Sequence, residues 1–269
     1  MTIDPYAEAV DHGPIRFLHR LNPLSKLFAP LPAMVLVILT RDAGTPLALI
    51  LLALVLLLVG AHLDRRLALM LFVALPLAIA FLSLSFGIWT DRGRVPVSDE
   101  VFSLGDYAFT TEMWLAGLRT ALRLGAVVTL GLLTGATSTG AELVRSLVQQ
   151  LRVPYRIGYT ALAAFRFVPR FGHELEVIRS AHRVRGMIGG RGPIAGARSY
   201  LGYVVPLLAG AIRHAERIAL AMDARAFGAH PTRTERHLVP FRVRDGVFLI
   251  LFWAATAALF VLSPRLELS

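Results

Sequence analysis

Long unbroken apolar runs alternate with short polar breaks along this chain. Five apolar segments stand out, at about residues 27–40, 46–63, 67–89, 114–137 and 247–262. None alternates with a period of two, so they read as helices rather than barrel strands. A helix crosses a bilayer with about 20 residues. The clearest candidate is 46–63, "PLALILLALVLLLVGAHL"; 67–89 and 114–137 are long enough, and Pro76 predicts a kink in the former. The segment 27–40 is short and carries Pro30 and Pro32.

Between residues 140 and 245 the pattern changes. "ELVRSLVQQL" (142–151) repeats Leu143, Leu147 and Leu151 at helical spacing, which predicts an amphipathic helix. Segments 159–168 and 200–212 are apolar but short, and each is followed by arginine. They are expected as helices lying in or against the membrane surface and the spans. A further helix is expected from Arg170, with an apolar stripe of Phe171, Leu175, Ile178 and Ala181. It closes with Arg185 in its last turn and Gly186 just past it, and "GMIGGRGP" then predicts a flexible loop. Another helix is expected over about 195–227, bent at Pro206, with Arg225 in its last turns and Gly228 and Pro231 following.

Composition sharpens this picture. The chain is 55% hydrophobic and 17% charged, with a mean hydropathy of +0.61. That exceeds the usual apolar share of soluble domains, and in lipid only helices or closed barrels satisfy the backbone. The fold class is therefore an all-α integral membrane protein, with about five transmembrane helices plus cytoplasmic helices. The net charge of +10 comes from 27 arginines and one lysine, Lys26. The basic turn at 64–66 and the acid-rich loop at 91–112 set the topology by the positive-inside rule. Residues 1–139 then hold transmembrane helices one to four, 140–245 form a cytoplasmic region, and 246–269 carry the last span outward. Residues 140–245 hold 17 of the 27 arginines and only seven acids, which agrees. The polar, acidic start "MTIDPYAEAVDHGP" is not expected to be a cleaved signal.

Catalytic chemistry is sparse. A phosphate-binding loop needs a lysine that the chain lacks, because Lys26 sits in "PLSKL". There is no cysteine, no G-x-S-x-G and no histidine pairing at metal-ligand spacing, so no catalytic residue and no metal site is expected. A polar basic face with interleaved aromatics is missing too, so no nucleic-acid partner is expected. An enzyme acting on a lipid-linked phosphate substrate is the alternative; it would have to use Glu174, Glu176 and Asp223. Arg119 and Arg123 lie one turn apart in an apolar segment, and the plain reading is that they snorkel to its external end.

Two arginine segments remain: "IRSAHRVRGMIGGRG" (178–192) and "LAMDARAFGAH" (220–230). Singly, each is an ordinary helix stop, with a basic residue in the last turn and glycine after it. Together they repeat a pattern of an aliphatic or small residue, arginine, and a small residue. These are Val184-Arg185-Gly186 and Ala224-Arg225-Ala226, with Arg183, Asp223 and Gly228 as possible support. Small residues let a neighbouring backbone approach, and arginine offers a planar fork of donors to a carboxylate.

The chain resembles the transmembrane T component of energy-coupling factor (ECF) transporters, the family of the cobalt and biotin systems. The resemblance rests on "HRLNPLSKLF" (19–28), "GLRTALRLGAVVTLGLLTGATSTGAELVRSL", "FRFVPRFGHELEVIRSAHRVRG" and "AMDARAFGAHPTRTERHLVPFRVRD" in this order. The resemblance implies a multi-pass protein of the bacterial cell (inner) membrane, itself without enzymatic activity. Its 140–245 region would be the coupling-helix region, whose two motifs dock on two ATP-binding-cassette subunits, alike or different. Those subunits, not this chain, would bind ATP and magnesium. A separate substrate-capturing S component would lie beside it in the bilayer and take up a vitamin or metal ion. Arg185 and Arg225 would be the anchors. Asn22 stands where the family has an acid, Val184 where it usually has alanine and Ala226 where it usually has glycine.

Overall fold

The computed structural model describes residues 16–62, 64–91, 100–104, 107–186, 193–231, 234–235 and 237–266. The N-terminal stretch, most of the acid-rich loop and the glycine-rich stretch 187–192 lie outside the described residues. Backbone contacts divide the chain into two compact units, one over 140–239 and the other over 9–139 with 240–269.

The second unit holds all five apolar segments, each of them helical. Helices α1 (Pro23–Phe28) and α2 (Pro30–Leu39) follow a short turn at Phe17–Arg20, and α3 is Gly44–Gly60. Then α4 (Arg65–Leu69), a π-helical turn at Met70–Ala74 and α5 (Leu75–Trp89) run on as one rod. Pro76 has no N–H to give, and the widened turn just before it is how the helix accommodates the proline expected to kink it. A hairpin follows, β1 (Glu100–Leu104) and β2 (Tyr107–Thr110), antiparallel with Leu104 opposite Tyr107. The hairpin interrupts what was read as a plain loop. Helix α6 (Thr111–Thr137) starts from its end, the Thr110 hydroxyl accepting the Met113 N–H. The last helix of the unit is α10 (Val243–Leu266). Three stretches are long and apolar enough to cross a membrane, Arg65–Trp89, Thr111–Thr137 and Val243–Leu262; Pro23–Leu39 and Gly44–Gly60 are shorter.

The core lies among Val37, Leu49, Ala53, Leu57, Ala126 and Leu130, all buried. Outside it the same helices expose Leu51, Val55, Leu77, Phe81 and Ile250. An apolar exterior around an apolar core is what a bilayer requires and what water would penalise. Small residues draw α5 and α6 together. A Cβ on Gly117 would come within 2.2 Å of the Ser83 carbonyl and 2.4 Å of the Gly87 nitrogen. Gly117, Ala121 and Gly125 recur every four residues on α6, as Ser83 and Gly87 do on α5, so the backbones touch along one seam.

The segment "LNPLSK" ties the start of α1 to the start of α10. The Asn22 side chain caps α1 by accepting the Leu24 N–H at 2.9 Å. Its own N–H donates to the buried Asp245 carboxylate at 2.7 Å, and the other oxygen of Asp245 accepts the Arg242 N–H at the start of α10. Lys26 is 2% exposed, and its ammonium donates to the Thr137 carbonyl at the end of α6, 2.8 Å away. A cation there meets the negative end of the helix dipole.

The unit over 140–239 is built from α7 (Gly140–Gln150), α8 (Tyr155–Val184) and α9 (Pro193–Asp223). Helix α8 is one rod of 30 residues through Pro169. It joins the apolar 159–168 segment to the helix expected to begin at Arg170. Gly158 lets α7 close on it, since a Cβ there would lie 2.1 Å from Val148 Cγ2. Helices α8 and α9 run antiparallel, as their contacts show. The His182 ring meets Tyr203 edge-on at 5.2 Å near one end, and Phe167 stacks on His214 at 4.3 Å further along. The Arg179 guanidinium lies over Tyr200 and Tyr203.

Candidate docking motifs at two helix ends

Each arginine motif ends a helix, and at both ends the residue after the arginine turns left-handed. At the first, Arg185 follows the last residue of α8, and the Arg185 N–H still donates to Ala181 O at 3.1 Å. Gly186 then turns into the left-handed region at φ +65°, its N–H donating to Arg183 O at 3.1 Å. At the second, Ala224 N–H donates to Leu220 O at 2.9 Å, and Ala226 takes the left-handed turn at φ +55°. Its N–H reaches Asp223 O at 2.9 Å and the Phe227 N–H closes on Met222 O at 3.0 Å. That pair of bonds is the Schellman stop, with the left-handed residue just past the cap. Gly186 and Ala226 thus occupy the same turn position, each just after its arginine, although Arg185 follows α8 directly and Ala224 stands between α9 and Arg225. Arg183 and Asp223 support through their carbonyls, one per motif. Helix α9 closes earlier than the sequence pattern suggested: regular helix stops at Asp223, so Arg225 lies just beyond it rather than in its last turns. The left-handed turn costs the helix its continuation.

Both arginines are exposed, and no hydrogen bond or ion pair engages either guanidinium among the described residues. Val184 is 89% exposed, so none of the described residues of this unit covers the first tip. The second tip is braced. Phe227 packs edge-on against Tyr155 at 5.8 Å, and Arg156 donates to the Gly228 carbonyl. Gly228 is itself left-handed at φ +88°, and a Cβ there would press on the Arg156 guanidinium. Further on, Tyr155 donates to His230 O at 2.6 Å, and Gln150 donates to Val239 O at 2.7 Å. An open cleft of about 850 Å³ runs beside Arg225, lined among others by Tyr159, Phe167, Arg170 and His214. The residues that brace this tip carried no signal beyond Tyr155 and Tyr159 at i, i+4.

The antiparallel pairing of α8 and α9 sets the two motifs apart. Arg225 lies level with the start of α8 and Arg185 at its end. A straight helix of that length spans about 45 Å. The structure therefore does not bring the two arginines into one site; it presents them at opposite ends of a helical pair. Nor does it gather the acids of the alternative enzyme reading. Glu174 and Glu176 lie in the second half of α8, while Asp223 lies level with its beginning. Among the described residues no cluster of His, Asp or Glu is arranged to hold a metal ion. On α9, Leu201, Val204, Val205, Leu208 and Ile212 form an exposed apolar stripe.

These features define a class: a multi-pass helical membrane protein carrying two exposed helix tips, each with an arginine just before a left-handed turn. The family model for CbiQ, a cobalt transport protein, matches residues 15–236, and the chain belongs to that family. It is 28% identical over 256 residues to the energy-coupling factor transporter transmembrane protein EcfT of Streptococcus thermophilus, covering 91% of this chain and 94% of that one. The EcfT protein of Acidaminococcus fermentans is 30% identical, with 87% and 90% covered. A Bifidobacterium longum protein, provisionally named an ABC transporter ATP-binding protein, is 28% identical over 170 residues; these make up 22% of its length.

Proposed function

We propose that this chain is the transmembrane coupling subunit of an energy-coupling factor importer. Two ATP-binding-cassette subunits, each holding its own ATP and magnesium, dock on the tips at Arg185 and Arg225. Their closure moves α8 and α9, and the movement passes to a substrate-capturing membrane subunit that takes up a vitamin or a metal ion. The observation that carries the reading is the likeness of the two tips: an exposed arginine just before a left-handed turn, no partner for either guanidinium among the described residues, and small or aliphatic neighbours at Val184, Gly186, Ala224 and Ala226. Exposed arginine forks suit acidic grooves on a partner. The Bifidobacterium relative adds support, since a segment like this chain lies in a polypeptide named as an ABC transporter ATP-binding protein. In this reading residues 140–245 are the cytoplasmic coupling region, and the apolar stripe of α9 faces the membrane partner or the bilayer.

The test is charge reversal. Arg185→Glu with Arg225→Glu is expected to leave membrane insertion and expression unchanged. Co-purification of the ATPases and uptake should both be lost. Full co-purification of the ATPases with the double variant would overturn the assignment.

A further inference from the structure

Helix α6 carries a charge that the described residues of its own unit do not answer. Arg123 is the thirteenth of its 27 residues, about 18 Å from the Thr111 end at 1.5 Å per residue. With about 30 Å of hydrocarbon centred on the helix, its Cα lies about 13 Å inside the apolar layer. Arg119, one turn nearer the end, is about half as deep and can snorkel; Arg123 is too deep to follow it. Its Nε is buried with no hydrogen-bond partner. The residue as a whole is half-buried, so the terminal nitrogens of the guanidinium reach the surface of the unit.

The described acids of this unit lie elsewhere. Asp42, Asp64, Asp91, Glu112 and Asp245 sit at helix ends or in the turns between helices, and Glu100 is the first residue of β1. The hydroxyls at membrane depth are turned onto their own helices: Thr120 donates to Ala116 O, Thr129 to Gly125 O and Ser83 to Ala80 O. A guanidinium at this depth is costly unless it meets an acceptor. Lipid phosphates lie outside the hydrocarbon layer, too far away to serve. The acceptor that fits by charge and by depth is a carboxylate on a neighbouring transmembrane helix.

We propose that Arg123 is the intramembrane contact for a second membrane subunit, pairing with an Asp or Glu borne within one of its transmembrane helices. The proposal rests on the coupling-subunit reading, which supplies such a subunit. The test is to co-express the chain with the ATPases and the membrane protein encoded beside it and purify the complex in mild detergent. The amount of each partner per chain is then measured for wild type, Arg123→Ala and Arg123→Lys. The Ala variant should keep its ATPases and lose the membrane partner at least tenfold, while the Lys variant keeps most of it. Among Gln or Asn replacements of the partner's intramembrane acids, one should reproduce the loss. Arg123→Glu combined with arginine at that acid should restore the complex.

A wild-type ratio in Arg123→Ala overturns the proposal. So does a loss reversed by added anionic phospholipid, or a loss that includes the ATPases, which would mark Arg123 as a folding residue. Wild-type complexes with ATPases but no membrane partner overturn this proposal alone. Wild-type preparations without ATPases overturn the coupling-subunit reading beneath it.

Discussion

Ala226 holds a left-handed backbone with a side chain that makes the conformation costly, whereas Gly186 holds the same turn at no such cost. Replacing Ala226 with Gly should therefore raise stability by about 0.5–1 kcal/mol, the relief of strain exceeding the extra freedom of the unfolded chain. Gly186→Ala should lower it by about 1 kcal/mol. Space is not the issue there, since a Cβ on Gly186 meets nothing within 4 Å. Thermal unfolding in detergent, followed by circular dichroism, checks both. Asp245→Ala removes the acceptor of two backbone N–H groups and should cost about 1–3 kcal/mol for each one left buried. The two arginine motifs were legible in the sequence because their pattern repeats. The left-handed turn after each arginine was only half legible, since Gly186 announces it and Ala226 does not. The depth of Arg123 along its helix was hidden for a related reason. The apolar pattern starts the helix near residue 114, whereas the hairpin and the Thr110 cap start it at Thr111, which leaves the arginine deeper.

The seam between α5 and α6 is the element most exposed to a single change. Gly117→Leu forces a side chain into the backbone of Ser83 and Gly87, neither of which can turn aside. Overpacking typically costs about 1–3 kcal/mol, and contact with backbone rather than a movable side chain puts this case at the upper end or beyond. The expected outcome is loss of monodisperse protein on size-exclusion chromatography, with Gly117→Ala milder. The small residues were visible in the sequence at a spacing of four, but only a partner helix gives that spacing meaning. The hairpin had a signal as well. Aromatic and β-branched residues flank Gly105-Asp106, a dipeptide common in tight hairpins. The flanking acids drew attention to topology instead. Helix α8 was read as two pieces because its apolar and amphipathic halves meet at Pro169, and hydrophobic pattern alone cannot tell a boundary from a proline carried within a helix.

At the scale of the whole chain, the order and spacing of four sequence fragments sufficed to indicate the family. The placement of the docking tips needed the structure, because it depends on how α8 and α9 pair. Two tips about 45 Å apart at opposite ends of a helical pair cannot both enter one small domain. On the proposed function the chain is a bivalent ligand for an ATPase pair. Once one tip is seated, the second binds at an effective concentration set by the helices rather than by the solution, and such linkage can add about 10²–10⁴ to affinity without new contacts. Arg225→Glu alone should therefore weaken capture of a preformed ATPase dimer by far more than half, while leaving affinity for a single ATPase nearly unchanged through the intact tip. Surface-immobilised binding measured against monomeric and dimeric ATPase separates the two cases. Either motif would be a weak handle by itself; the rigid span between them makes the grip strong and still lets it be released one hand at a time.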